Sequence, residues 1–238
     1  MATPRIQVDS WRFWAPESSD PTLWLEYWQT KGARAQDGNP DVEVIPPIQR
    51  RRASRLSKMV LSTALDVAAE QEIDYSIFCS QHGEIVRTRE ILRSISEREE
   101  ISPAAFAQSV HNTGSGLYTI IAKSNAPSTS IASGANTFAF AWIEAQAYLA
   151  NNPEHKVMLA NCDEVLPEEY QRHSERVHCD HALAMILSVA DGAGFDMNRV
   201  SPGAENPLPQ GPQFLAWLLS DEAAFTVTAD KQGWRWQR

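Results

Sequence analysis

Two runs of the chain, Lys156 to Asn161 (K-V-M-L-A-N) and Ala182 to Ala190 (A-L-A-M-I-L-S-V-A), are apolar at consecutive positions. A strand with one solvated face alternates apolar and polar residues, so these runs read as central strands buried on both faces. Such a sheet needs a packed layer on each side. Two further strand candidates, Ile73 to Ser80 (I-D-Y-S-I-F-C-S) and Asn125 to Ile131, are short and bounded by polar residues, and Arg5 to Val8 begins another.

Helical patterns fall between the strands. After an irregular, Gly- and Pro-bearing connection at residues 29–47, a helix opens near Arg50, with Leu56, Met59, Val60, Ala64, Val67 and Ala68 on one stripe. Gly83 opens a second helix, through Ile91, Leu92 and Ile95. Ser102-Pro103 starts a short one over Ala104 to Ser109, since Ser caps and Pro is tolerated at the first helical position. A long helix runs from Ser133 to Ala150, keeps Phe138, Trp142, Ala145 and Leu149 on one face, and stops at N-N-P. The order is strand, helix, strand, helix, strand, helix, strand, strand. It predicts an α/β layered domain with a largely parallel sheet and right-handed crossovers. The tail adds a helix near Phe214 to Leu219 and an aromatic segment, Trp234 to Trp236.

Composition narrows the function. With 238 residues, 43% of them hydrophobic, the chain can bury a sizeable core, and a single domain over residues 1–238 is expected. A net charge of −9 argues against broad nucleic-acid binding, which needs basic surface to displace counterions. Neither a signal peptide nor a membrane span is legible, so a cytoplasmic location is expected. Cys79, Cys162 and Cys179 form no C-x-x-C pair and read as small buried hydrophobes.

Four segments could carry chemistry. Ser133, at the turn into the long helix, is either a nucleophile, with His111 as base and Asp163 as orienter, or the helix N-cap. The absence of G-x-S-x-G favours the cap. In S-V-H-N-T-G-S-G, Ser109 to Gly116, His111 and Asn112 either line a site or satisfy buried backbone groups around a turn. H-S-E-R-V-H-C-D-H, His173 to His181, matches no standard metal-ligand spacing and reads as a surface approach to the next strand. Arg50, Arg51, Arg52, Arg55 and Lys58 cluster at the start of a helix, where the dipole mildly disfavours positive charge. They either steer an acidic partner or are solvated and paired with some of the chain's many carboxylates.

Taken in order, I-P-P-I-Q-R-R-R-A-S-R-L-S-K-M, F-C-S-Q-H-G-E-I-V-R-T, S-P-A-A-F-A-Q-S-V-H-N-T-G-S-G and A-P-S-T-S-I-A-S-G resemble the β-ketoacyl synthase-like N-terminal-domain family. These short proteins accompany aryl polyene and related type II polyketide clusters. The resemblance covers Trp14 to Ala190 and implies half of a thiolase fold, with one five-stranded mixed sheet between helices. Where true ketosynthases carry A-C-A-S-G at the nucleophile elbow, this chain reads S-I-A-S-G, with Ile131 at the cysteine position. The H-G-T-G-T and Gly-Phe-Gly-rich motifs of the second thiolase half, which bring two histidines, are absent from the sequence.

The resemblance therefore implies an inactive, chain-length-factor-like subunit without cofactor or metal. Its partner would be an active β-ketoacyl synthase, in a heterodimer with an acyl tunnel at the interface. Such dimers join their sheets through the strand before the elbow. Phe106, Ser109, His111, Asn112, Ser130, Ile131 and Ser133 would then lie at the tunnel or interface, and Arg50, Arg51 and Arg52 would face an acidic acyl carrier protein or the partner. The competing expectation is a hydrolase or acyltransferase that uses Ser133 and His111.

Overall fold

The computed structural model describes residues 4–31, 38–69 and 71–238. In chain order the elements begin with β1 (Ile6–Trp14), α1 (Pro21–Lys31), α2 (Pro47–Arg52), α3 (Arg55–Ala68), β2 (Tyr75–Cys79), α4 (Ile85–Glu97), α5 (Pro103–Ala107) and α6 (Thr113–Ala122). Then come β3 (Ser128–Ile131), α7 (Thr137–Asn151), β4 (Val157–Asp163), α8 (Glu168–Gln171), β5 (His181–Val189), β6 (Asp196–Val200), α9 (Gln210–Leu218), β7 (Ala224–Ala229) and β8 (Gln232–Gln237).

The principal sheet has five strands in the order β1-β5-β4-β2-β3, which leaves β3 at an edge. Its two apolar runs became the inner strands β4 and β5, and their alternate residues serve opposite cores. Val157, Leu159, Leu183, Met185 and Leu187 face one cluster, with Phe138, Trp142, Ala145 and Leu149 of α7. Met158, Ala160, Cys162, Ala182, Ala184 and Ile186 face the other, with Leu56, Met59, Val60, Ala64 and Val67 of α3. Both helical stripes read from spacing are thus the inner faces of the two helical layers.

The sheet is mixed rather than largely parallel. β2 runs parallel to β3 and β4, but β5 runs antiparallel to both β4 and β1. Burial on both faces looks the same in either direction. Direction was set by the link between β4 and β5, whose only helix is the four-residue α8. A parallel return usually crosses the sheet through a packed helix, which this link lacks.

Several elements depart from the reading above. β1 continues to Trp14, and α1 runs into the start of the stretch expected to be irregular; residues 32–37 of that connection lie outside the described residues. The helix expected from Arg50 is two helices. Ser54 caps α3, its hydroxyl accepting the Ser57 N–H at 2.9 Å, so Arg50 to Arg52 form the last turn of α2, where the dipole favours them. The Gly-bearing segment after Asn112 is helical as α6, despite the low helix propensity of Gly114 and Gly116. At Gly114 the gap in the side-chain layer is filled by a neighbour, because a Cβ there would stand 3.1 Å from Val60 Cγ1.

The tail forms a second sheet, of three strands in the order β6-β8-β7. Trp234 and Trp236 of β8 join Phe138 and Trp142 of α7 and Phe214 of α9 in one aromatic core. Trp142 lies 4.9 Å from Phe214 and 6.3 Å from Trp236, ring centre to ring centre, within the range of favourable aromatic pairs.

Candidate functional site at the elbow

The chain leaves β3 at Ile131, turns through Ala132 to Asn136 and enters α7 at Thr137. Gly134 takes φ of 55°, a left-handed conformation that closes the turn. The helix N-cap is Asn136, not Ser133. Thr137 Oγ1 accepts the Ser133 N–H at 2.9 Å and donates to the Gly134 carbonyl at 2.7 Å. Ser133 therefore enters this network through its backbone.

The proposed triad does not assemble. His111 Nε2 lies 2.8 Å from the Ser80 carbonyl oxygen, at the turn after β2. Asp163 Oδ1 accepts the Ser80 hydroxyl and the Gln81 N–H, both at 2.8 Å, and the His82 N–H at 3.3 Å. Desolvation raises the Asp163 carboxyl to about 7, against the pull of those hydrogen bonds. Neither group bonds to the Ser133 hydroxyl among the described residues. Burial also pushes the thiols of Cys79, Cys162 and Cys179 upward, which keeps them protonated and unreactive.

Four tail residues close on the elbow from behind. Asp230 Oδ2 accepts the Ala135 N–H at 3.1 Å. Asn136, 1% exposed, donates to the Ala229 carbonyl at 2.9 Å and accepts from Trp234 Nε1 at 2.8 Å and Gln210 Nε2 at 3.3 Å. Gln210 Oε1 accepts the Ala139 N–H at 3.2 Å. A cavity of about 30 Å³ beside it is bordered by Gln81, Thr137, Asp163, His178, His181 and Gln210. That is room for one water molecule.

The His173 to His181 segment is not a surface approach throughout. His181 is fully buried, with Nδ1 3.0 Å from the Cys179 carbonyl oxygen and Nε2 3.3 Å from Asn161 Oδ1, and burial lowers it to about 4. His178 is lowered to about 4 by burial, the neighbouring His82 and Arg176, and its ring centre lies 5.1 Å from that of His82. No group of three such side chains among the described residues is arranged to hold a metal ion. Asp180 pairs with Arg55 at 2.7 Å, so this member of the basic cluster is taken up internally. Beside it, Glu164 is raised to about 8 by burial and then by Asp180 and Glu84. The buried acids Glu84, Glu164 and Asp180 gave no sequence signal, because their partners are brought in from distant elements.

The remaining candidates are spread over several elements. Ser130 and Ile131 are on β3. Phe106 on α5 is 63% exposed, and Val110 in the loop after it and Ile120 on α6 are 48% and 65% exposed. Ser109 is half-buried, its hydroxyl donating to the Phe106 carbonyl, and Asn112 is exposed before α6. α6 is tied to the edge strand where the Ser115 hydroxyl donates to Ser128 Oγ at 3.0 Å. Arg50 donates to the Ile45 and Glu43 carbonyls, whereas Arg51 and Arg52 are exposed.

An α/β half-fold with a strand–elbow–helix unit is the condensing-enzyme type of scaffold. The chain belongs to the β-ketoacyl synthase, N-terminal domain family, which it matches over residues 24–237. It is similar to a chain of the ketosynthase ApeO in complex with its chain length factor ApeC from Xenorhabdus doucetiae. The identity is 29%, the match covers 98% of this chain and 99% of that one, and the TM-score is 0.85. The ishigamide ketosynthase/chain length factor shares the fold at 13% identity and TM-score 0.61, over 83% of this chain and 67% of that one. A β-ketoacyl synthase from Burkholderia phymatum STM815 shares it at 12% identity and TM-score 0.60, over 85% and 65%. No curated protein matches the chain. Among the described residues no helix is long and apolar enough to cross a membrane.

Proposed function

We propose that the chain is a non-catalytic, chain-length-factor-like subunit that pairs with an active β-ketoacyl synthase and helps to form its acyl tunnel, in aryl polyene or related polyketide biosynthesis. The observation that carries the reading is the free edge of β3, with α6 and its exposed Ile120 packed beside the strand. An unpaired edge exposes a row of backbone donors and acceptors that another strand can complete. Phe106, Val110 and Ile120 are large apolar side chains left in water. Ile131 ends the strand where an acyl-forming enzyme needs a nucleophile, and isoleucine has none to offer. The likeness to the ApeO and ApeC complex supports the same reading.

In this reading residues 1–238 act as one domain, in the cytoplasm. Ser109, His111, Asn112, Ser130, Ile131 and Ser133 lie at or behind the seam, and Phe106 faces the tunnel. The acyl carrier protein is met indirectly, through Arg51 and Arg52. Reconstitution tests it. Purified with its ketosynthase, the chain gives a stable heterodimer whose elongation needs both subunits, and Phe106→Ala lengthens the product. A ketosynthase that alone makes full-length product at the same rate overturns the reading.

A further inference from the structure

The β7–β8 turn carries two non-glycine residues in the left-handed region, Asp230 at φ 47° and Lys231 at φ 60°. Positive φ at both loop positions is the geometry of a two-residue hairpin turn, which suits the twist of β7 and β8. Glu205 holds the turn further, its carboxylate accepting the Asp230 N–H at 3.2 Å and the Lys231 N–H at 2.8 Å. The turn points the Asp230 carboxylate at the elbow, where Oδ2 takes the Ala135 N–H and would stand 3.1 Å from any Cβ at position 134. Among the described residues the basic side chain of Arg176 faces this turn, its Nη1 3.9 Å from Glu205 Oε2.

We propose that Asp230 is a positioning residue: from 95 residues away it holds the elbow amide and so sets the end of the edge strand β3 in the geometry needed for pairing. The elbow is joined to β3 without a break, and its neighbour Asn136 is gripped by the same tail hairpin. A charged acceptor on a backbone N–H at a helix start is a strong hydrogen bond, favoured further by the dipole. The hairpin thus serves the elbow as an internal brace, and Gly134, favoured by its positive φ, leaves room for the carboxylate, which a Cβ there would crowd at 3.1 Å. The role in assembly rests on the reading of β3 as the seam.

Residue-resolved amide hydrogen exchange on the full chain tests the brace without any partner. In Asp230→Ala, the amides of Ile131 to Thr137 exchange faster by about tenfold or more, the fold-change for losing one charge-assisted hydrogen bond. Those of β4 and β5 stay within about twofold of wild type. Asp230→Asn, which keeps a neutral acceptor in place, falls between. Unchanged elbow exchange in Asp230→Ala, or equal acceleration at β4 and β5, overturns the proposal. With the ketosynthase added, Asp230→Ala associates more slowly than wild type, and an unchanged association rate overturns the link from brace to assembly. Failure of the wild-type chain to bind the ketosynthase is a different result: it removes the partnership reading, while the exchange data still decide what Asp230 does.

Discussion

Glu164 shows how a residue's role can be invisible until its neighbours are known. It follows Asp163 at the end of β4, is 6% exposed, and faces Asp180 and Glu84. Burial and these like charges raise its carboxyl from 4.5 to about 8, so folding takes up a proton between those values. The stability it contributes is full below pH 4.5 and is lost as pH rises through about 8. His178 and His181 act in the opposite sense. Both are lowered from 6.5 to about 4, so their stability is present above pH 6.5 and lost as pH falls through about 4. Chemical denaturation across pH should show stability falling from pH 6.5 to 8 in the wild type. Glu164→Gln, neutral throughout, flattens that fall by a slope approaching about 1.4 kcal/mol per pH unit. An unaltered slope would show that Glu164 titrates normally.

Strand β3 is the element on which the proposed pairing turns, and its ladder shows which groups are free. The Ser76 N–H donates to the Pro127 carbonyl and the Ser80 N–H to that of Ile131. In a parallel pair the bonding residue alternates, so Pro127, Thr129 and Ile131 face β2 while the backbone groups of Ser128 and Ser130 face outward. Proline at an outward position removes one donor and leaves the internal ladder whole, as proline does on natural edge strands. Ser130→Pro is therefore expected to keep its far-UV spectrum and melt within a few degrees of wild type, yet to lose the heterodimer on size-exclusion chromatography. Retained assembly would place the seam elsewhere. The same element explains a limit of the sequence: S-T-S-I is short and polar, and nothing in it distinguishes an edge strand from an inner one.

Across the whole molecule, charge is uneven: net −9, with Arg51 and Arg52 exposed while Arg50 and Arg55 are bound internally. If those two arginines steer an acidic partner, Arg51→Ala/Arg52→Ala slows association in low salt and leaves it little changed at about 1 M salt, where charges are screened beyond about 3 Å. Stopped-flow mixing reads this directly, and identical kinetics at low salt would leave the arginines as solvated surface. Much of the fold was legible in the sequence. The inner strands, the α3 and α7 stripes and the elbow follow from apolar periodicity and turn chemistry, which act over a few residues. Strand direction, the α6 helix through two glycines, the tail sheet and the true cap of α7 were not legible. Each depends on contacts between segments far apart in the chain: Gly114 against Val60, Trp234 and Gln210 on Asn136, Asp230 on Ala135. The sequence by itself determined a doubly covered sheet and an elbow with isoleucine at its tip. Only the tertiary structure decided which strand lies open at the edge and which distant carboxylate holds the elbow behind it, because hydrogen-bond partners and burial are properties of packing, not of local order.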